Sequence, residues 1–83
     1  MSSREFSGRR AALAYRQGFP SLWSGFLRRN FDSPAEVAAL YGVDPTTAEN
    51  WWDARTGPSG FAVAWTLSDP ELGARAADEL RAA

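Results

Sequence analysis

Four polar side chains between residues 45 and 53 carry the chemistry most able to recognise another molecule. Asn50 presents a hydrogen-bond donor and an acceptor side by side in one planar amide. An asparagine can therefore make two hydrogen bonds to adenine in the major groove of DNA, and a glutamate can accept one from cytosine. We expect four residues to read base edges: Thr46, Thr47, Glu49 and Asn50.

The composition argues against catalysis and metal binding. The 83 residues contain no histidine and no cysteine, and all nine basic residues are arginine. The chain thus lacks the usual zinc ligands, the commonest general base, and the thiol and amine nucleophiles. We expect a protein that is not an enzyme and that holds neither a metal nor a cofactor.

Two short helices joined by a tight turn are predicted in the middle of the chain. Ser33 is a good N-cap, and Glu36 three residues later completes a capping box. Gly42 follows where the chain needs a left-handed turn, which glycine adopts without steric cost. Asp44 and Pro45 then repeat the signal for a helix start. These spacings have the dimensions of a helix-turn-helix.

Apolar spacing predicts three further helices and no strand. A wide apolar stripe follows Pro20, and the two remaining helices are expected near residues 60–67 and after Asp69. We expect the fourth helix to be largely buried through Phe61, Ala62 and Trp65. The predicted fold is all-α, a compact bundle of about five short helices in which the helix-turn-helix forms helices 2 and 3. Three tryptophans are expected to be core anchors: Trp23, Trp51 and Trp65.

Charge divides the chain into two parts. Residues 1–31 contain six arginines and one glutamate, a net charge of +5, whereas residues 32–83 contain three arginines and nine carboxylates, a net charge of −6. We therefore predict a basic N-terminal arm over residues 1–18, flexible or partly helical, and a helix-turn-helix domain over residues 19–83. A basic arm of this kind often meets a polyanion.

The central motif resembles the DNA-binding domains of phage repressors and Cro-like proteins. The resemblance covers roughly residues 20–82 in architecture and 33–55 at motif level. The matching motif positions are Val37, Ala38, Gly42, Val43, Ala48 and Trp51. It implies a lambda-repressor-like fold and sequence-specific binding of double-stranded DNA by a small bacterial or phage-type transcriptional regulator. Residues 45–54 would then be the recognition helix in the major groove, and a homodimer would occupy paired half-sites.

Phosphate contacts must come mostly from outside the motif. Between residues 32 and 54 there are five carboxylates and no arginine, and Pro34 occupies a position where related domains often carry glutamine. Basic side chains supply most of the affinity of DNA-binding proteins. The candidate phosphate contacts are Arg55, Arg28, Arg29, Arg9, Arg10 and Ser33.

Two alternatives remain open from the sequence. The chain is a protein-interaction module on a helix-turn-helix scaffold, with its acidic surface or Trp52 as the contact, or it is the DNA-recognition domain of a packaging or recombination protein. No apolar run approaches membrane-spanning length and no signal-peptide pattern occurs at the N-terminus, so we expect a cytoplasmic protein without membrane contact.

Overall fold

The computed structural model describes residues 3–81, with side chains from residue 8 onward. Within that range the chain forms five α-helices and no strand. This confirms the predicted all-α bundle, and the second and third helices lie where the helix-turn-helix was expected. The helices are α1 (Ser3–Asn30), α2 (Pro34–Tyr41), α3 (Pro45–Trp52), α4 (Gly60–Ser68) and α5 (Leu72–Glu79).

The first helix begins earlier than the sequence pattern suggested. The apolar stripe predicted a helix starting near Pro20, yet α1 begins at Ser3 and continues through Pro20 to Asn30. The intervening segment is rich in alanine, arginine, leucine and glutamine, which are strong helix formers, and this outweighs Gly8 and Gly18. A break between residues 18 and 19 is therefore absent, and α1 is about 42 Å long at 1.5 Å per residue.

The turn between α2 and α3 forms as its residue types predict. Ser33 Oγ accepts a hydrogen bond from the Glu36 N–H at 3.2 Å. The Glu36 carboxylate reaches back to the N–H of Asp32 at 3.1 Å, one residue earlier than in a standard capping box. Gly42 has a φ of 67° and donates its N–H to the Ala38 carbonyl at 3.0 Å. These local contacts set the angle between the two helices.

The core is built around aromatic rings from three helices. Trp23 of α1, Tyr41 of α2 and Trp51 of α3 meet edge to face, with ring centroids 5.7 to 6.0 Å apart. Trp23 and Trp51 are thus core anchors, as expected. The other buried apolar side chains are Phe26, Leu27, Val37, Ala48, Ala62, Ala76 and Leu80.

A buried hydrogen bond joins α2 to α4. The Thr66 hydroxyl donates to the Ala62 carbonyl at 2.7 Å, so its oxygen accepts from the Tyr41 hydroxyl. Burial raises the pKa of the Tyr41 hydroxyl, although the hydrogen bond with Thr66 opposes that rise. Tyr41 therefore stays protonated and acts as a donor in the core.

The fourth helix is more exposed than its composition suggested. The expectation that Phe61 and Trp65 would be buried is wrong, because these side chains are 58% and 40% exposed, and Leu67 is 50% exposed. Only Ala62 and Thr66 of this helix are fully buried. α4 is apolar on every side and packs mainly against α5, with Tyr41 of α2 against Trp65, so part of its apolar surface stays exposed.

The fifth helix packs very closely on the fourth. The carboxylate of Asp69 accepts from the N–H groups of Glu71 and Leu72 and so caps the start of α5. A Cβ atom at Gly73 would lie 2.5 Å from the Leu67 carbonyl oxygen. Only glycine allows this approach. Within the described residues, no helix combines the length and apolar character needed to span a membrane.

Candidate nucleic-acid interface

The third helix is anchored on one side and open on the other. Ala48 and Trp51 are buried against α1 and α2, whereas Thr46 and Glu49 on the other side are exposed. Asn50 and Thr47 are partly exposed at the edges of that open side. Thr46 and Asn50 therefore point away from the core, while Thr47 and Glu49, about 160° apart around the helix axis, flank them on opposite edges.

The N-terminal end of α3 is held by an aspartate–threonine pair. Asp44 Oδ1 accepts the N–H of Thr47 at 2.8 Å, and Asp44 Oδ2 accepts the Thr47 hydroxyl at 3.1 Å. These two donors lower the pKa of the Asp44 carboxyl below its ordinary value. The hydroxyl proton of Thr47 is thus used inside the molecule, which leaves Thr46 as the threonine better placed to donate to a ligand.

Arg55, which comes after α3 in the sequence, orients the side chain of Asn50. Its Oδ1 accepts from Arg55 Nη1 at 3.4 Å, and its backbone carbonyl accepts the Arg55 N–H at 2.8 Å. Arg55 Nη2 also lies 3.5 Å from Asp53 Oδ2. The loop after α3 therefore folds back on the helix and holds the amide of Asn50 on the open face.

Arg28 closes the C-terminal end of α3. Its Nε and Nη2 donate to the Trp52 carbonyl at 3.0 and 2.8 Å, and Ser24 donates to the same oxygen at 2.6 Å. Its guanidinium also lies 5.1 Å from the Trp52 ring centroid and 3.4 Å from Asp53. A cation at a helix C-terminus satisfies orphan carbonyls and opposes the helix dipole. This structural role was not foreseen, because the partners lie 24 and 25 residues away in sequence.

The other candidate phosphate contacts are spread over the molecule. Arg29 Nε pairs with Glu79 Oε1 at 2.6 Å and so faces α5 rather than α3. Arg9 and Arg10 are exposed on α1, and Arg10 lies about 27 Å along the helix axis from Arg28. Ser33 is the N-cap of α2. Of the predicted arginines, the structure brings only Arg28 and Arg55 to the end of α3, where both flank Asp53.

Among the described residues, no group of three or more histidine, cysteine or carboxylate side chains is arranged to hold a metal ion. Of the six predicted motif positions, Val37, Ala48 and Trp51 are buried, Ala38 and Val43 are partly buried, and Gly42 makes the turn.

No family model matches the chain, and neither the curated proteins nor the solved structures include a significant match. Function has to be inferred from the geometry of α2, α3 and the residues around them.

Proposed function

We propose that this chain binds double-stranded DNA in a sequence-specific manner, with α3 in the major groove, as a small bacterial or phage-type transcriptional regulator. One observation carries the proposal. α3 is fixed to the core by Ala48 and Trp51 while Thr46, Glu49 and Asn50 lie together on a side that no other helix covers. A recognition helix needs this combination of a rigid base and an open polar face.

Base recognition is assigned mainly to Asn50. Its amide lies at the edge of the open face, and Arg55 bonds to its oxygen. Binding adenine would exchange that 3.4 Å contact for a pair of hydrogen bonds to N6 and N7. Thr46 and Glu49 would flank it and contact neighbouring bases, while Thr47 contributes chiefly through the cap with Asp44.

Phosphate binding is assigned to Arg28, Arg55 and Ser33. The two arginines flank the C-terminal end of α3, and Ser33 sits at the N-terminus of α2, where helix N–H groups favour an anion. Asp53 pairs with both arginines, so binding DNA must replace these ion pairs with phosphate contacts. Arg9, Arg10 and Arg29 lie farther away and would reach only more distant phosphates.

The test is selection from a random duplex pool, followed by fluorescence anisotropy across a salt series. With two phosphates neutralised by Arg28 and Arg55, the slope of log K against log salt should be about −2 for one chain, because the neutral Ser33 releases no counterion. The selected sequence should bind at least roughly a thousandfold more tightly than random duplex. The proposal is wrong if no duplex binds at about 50 mM salt.

A second candidate is a protein-interaction module, and one observation favours it. The α2–α3 region carries five carboxylates against Arg28 and Arg55, while α4 exposes Phe61, Trp65 and Leu67. An acidic surface beside an apolar one fits a basic protein partner. DNA binding without transcriptional effect would instead point to a packaging or recombination protein.

A further inference from the structure

We propose that two copies of this chain associate by reciprocal exchange, in which the projecting segment of α1 from each copy binds an acidic groove on the other. The projecting segment is residues 8–18, which are exposed except for Tyr15, whose hydroxyl bonds to the Leu80 carbonyl. The acidic groove lies between the C-terminal end of α1 and helices α2, α4 and α5. This inference goes beyond the proposed function and is testable without DNA.

The acidic groove is lined by both apolar and negatively charged side chains. It is a cavity of about 400 Å³ whose lining includes Leu40 and Trp65, which are 47% and 40% exposed. Carboxylates of Glu36, Asp69 and Glu71 line it, together with Arg75, whose Nη1 donates to Asn30 Oδ1 at 3.0 Å. Three carboxylates against one arginine leave the groove negative. It is suited to an apolar side chain flanked by cations.

The projecting segment presents that pattern on one helical face. Arg9, Leu13 and Arg16 are spaced i, i+4 and i+7, so their side chains lie within about 60° of each other around the axis. All three are exposed, and Leu13 is 54% exposed. Tyr15 lies on a different side of the helix and bonds to the Leu80 carbonyl, which fixes the rotation of α1 against the bundle. The Arg9–Leu13–Arg16 face is thereby directed to solvent.

A chain cannot place this segment in its own groove. Asn30 and Phe31, at the far end of α1, line the groove. Twenty-one residues of continuous helix separate Arg9 from Asn30, a distance of about 31 Å along the axis. As long as α1 is helical, the occupant must come from a second copy.

In an antiparallel arrangement of two α1 helices, the projecting segment of each copy fills the groove of the other. This arrangement puts the N-terminal part of each helix beside the C-terminal end of the other, which is where the groove lies. The contact is then isologous, and a two-fold axis closes the assembly at two chains. It also brings Arg9 and Arg16 of each copy to the three carboxylates that line the other copy's groove. The partner's arginines would partly neutralise Glu36, beside the N-terminus of α2.

Charge-swapped variants test the exchange by sedimentation equilibrium. At low salt the wild-type chain should have twice the 9.1 kDa mass of one chain. Arg9→Glu/Arg16→Glu and Glu36→Arg/Glu71→Arg should each be monomeric alone. Mixed together they should recover the doubled mass, because each segment then faces a groove of opposite charge. Arg81→Glu, which alters an exposed arginine outside both surfaces, should remain dimeric.

A disulfide trap covers the case in which the groove variant fails to fold. The native chain has no cysteine, so Leu13→Cys and Leu40→Cys variants can be mixed under mild oxidation. Their mixed disulfide should form at least tenfold faster than that between Leu13→Cys and Thr56→Cys. Equal rates, or a wild-type chain that is monomeric at every concentration in low salt, would overturn the proposal. A mass that keeps rising past two chains would overturn reciprocal exchange.

Discussion

The direction of one buried hydrogen bond follows from the single proton on each hydroxyl group. Thr66 donates its proton to the Ala62 carbonyl, so Tyr41 must be the donor to Thr66. Without the tyrosine hydroxyl, Thr66 still donates to the Ala62 carbonyl. Without the threonine hydroxyl, the buried Tyr41 hydroxyl loses its hydrogen-bond acceptor. Leaving a buried donor without an acceptor lowers the free energy of unfolding more than removing the donor does.

Thr66→Val should therefore destabilise the fold more than Tyr41→Phe. We expect a loss of about 1–3 kcal/mol in the free energy of unfolding for Thr66→Val and about 0.5–1.5 kcal/mol for Tyr41→Phe. Urea unfolding followed by circular dichroism measures both values. The opposite order would show that Thr66 is the donor to Tyr41.

Asp44 links stability to pH at the start of α3. Its two donors from Thr47 lower the pKa of its carboxyl in the folded state. The stabilisation is then present above the ordinary carboxyl pKa of about 3.9 and is lost as pH falls through the folded value. Asp44→Asn keeps a capping side chain without a titrating group. Thermal melts between about pH 5 and 2 should show a smaller acid-induced loss in this variant than in wild type.

Asn50→Ala should separate base reading from general affinity. We expect a loss of about 1–3 kcal/mol in binding to the selected duplex, with relaxed preference at one base position. Thr56→Ala, in the loop just beyond the helix, is the matched control and should bind as wild type does. Equal losses on selected and random duplex would mean that Asn50 does not contact a base.

At the level of single residues, the sequence predicts contacts within one turn of helix and misses those across the fold. The Ser33 and Asp44 caps were readable because each partner is three residues away. The bonds from Arg28 to Trp52 were not, because they depend on how α1 lies beside α3. Helical periodicity alone places Thr46 and Asn50 opposite the core, with Glu49 and Thr47 on the two edges.

The elements differ most from expectation where burial depends on which helix packs against which. The α2–turn–α3 unit is specified by its own caps and glycine, so its bounds were predictable. The exposure of α4 was not, because an apolar sequence does not tell how many neighbours will cover it. The long α1 was missed for another reason: Pro20 normally ends or begins a helix, yet here it lies inside one.

Two glycine substitutions test the helices at opposite extremes of packing. At Gly18 a Cβ would meet nothing within 4 Å, so Gly18→Ala should stabilise the fold by about 0.5–1 kcal/mol if α1 is continuous. Gly73→Ala would force its Cβ against the Leu67 carbonyl and should cost about 1–3 kcal/mol. Chemical denaturation of both variants gives the comparison. A destabilising Gly18→Ala would argue against a helix through that position.

At the scale of the whole molecule, α1 divides into a part that supports the bundle and a part that extends from it. Tyr15 joins α1 to the rest of the bundle through its hydrogen bond to the Leu80 carbonyl, and its ring packs against Phe19 of the same helix. Residues 8–14 are exposed. The elongated dimensions, 47 × 27 × 20 Å, reflect this projection.

Two truncations should therefore behave differently. Deleting residues 1–14 should leave the melting temperature within a few degrees of wild type, because the described side chains that it removes, those of residues 8–14, are all exposed. Deleting residues 1–18 also removes Tyr15 and should therefore lower the free energy of unfolding. The melting temperature should fall by roughly 4–8 °C for each kcal/mol of that loss. Circular dichroism melts make the comparison, and equal melting temperatures would show that Tyr15 does not support the bundle.

The perpendicular contact between Trp23 and Trp51 allows intrinsic tryptophan signals to report on the packing of α1 against α3. Their rings are 5.9 Å apart, one on α1 and the other on α3. Two indole rings at this distance influence each other's circular dichroism. The fluorescence emission of both depends on their burial away from water. Any event that loosens the proposed recognition helix, whether heating or engagement of a duplex, should register in intrinsic fluorescence without a dye.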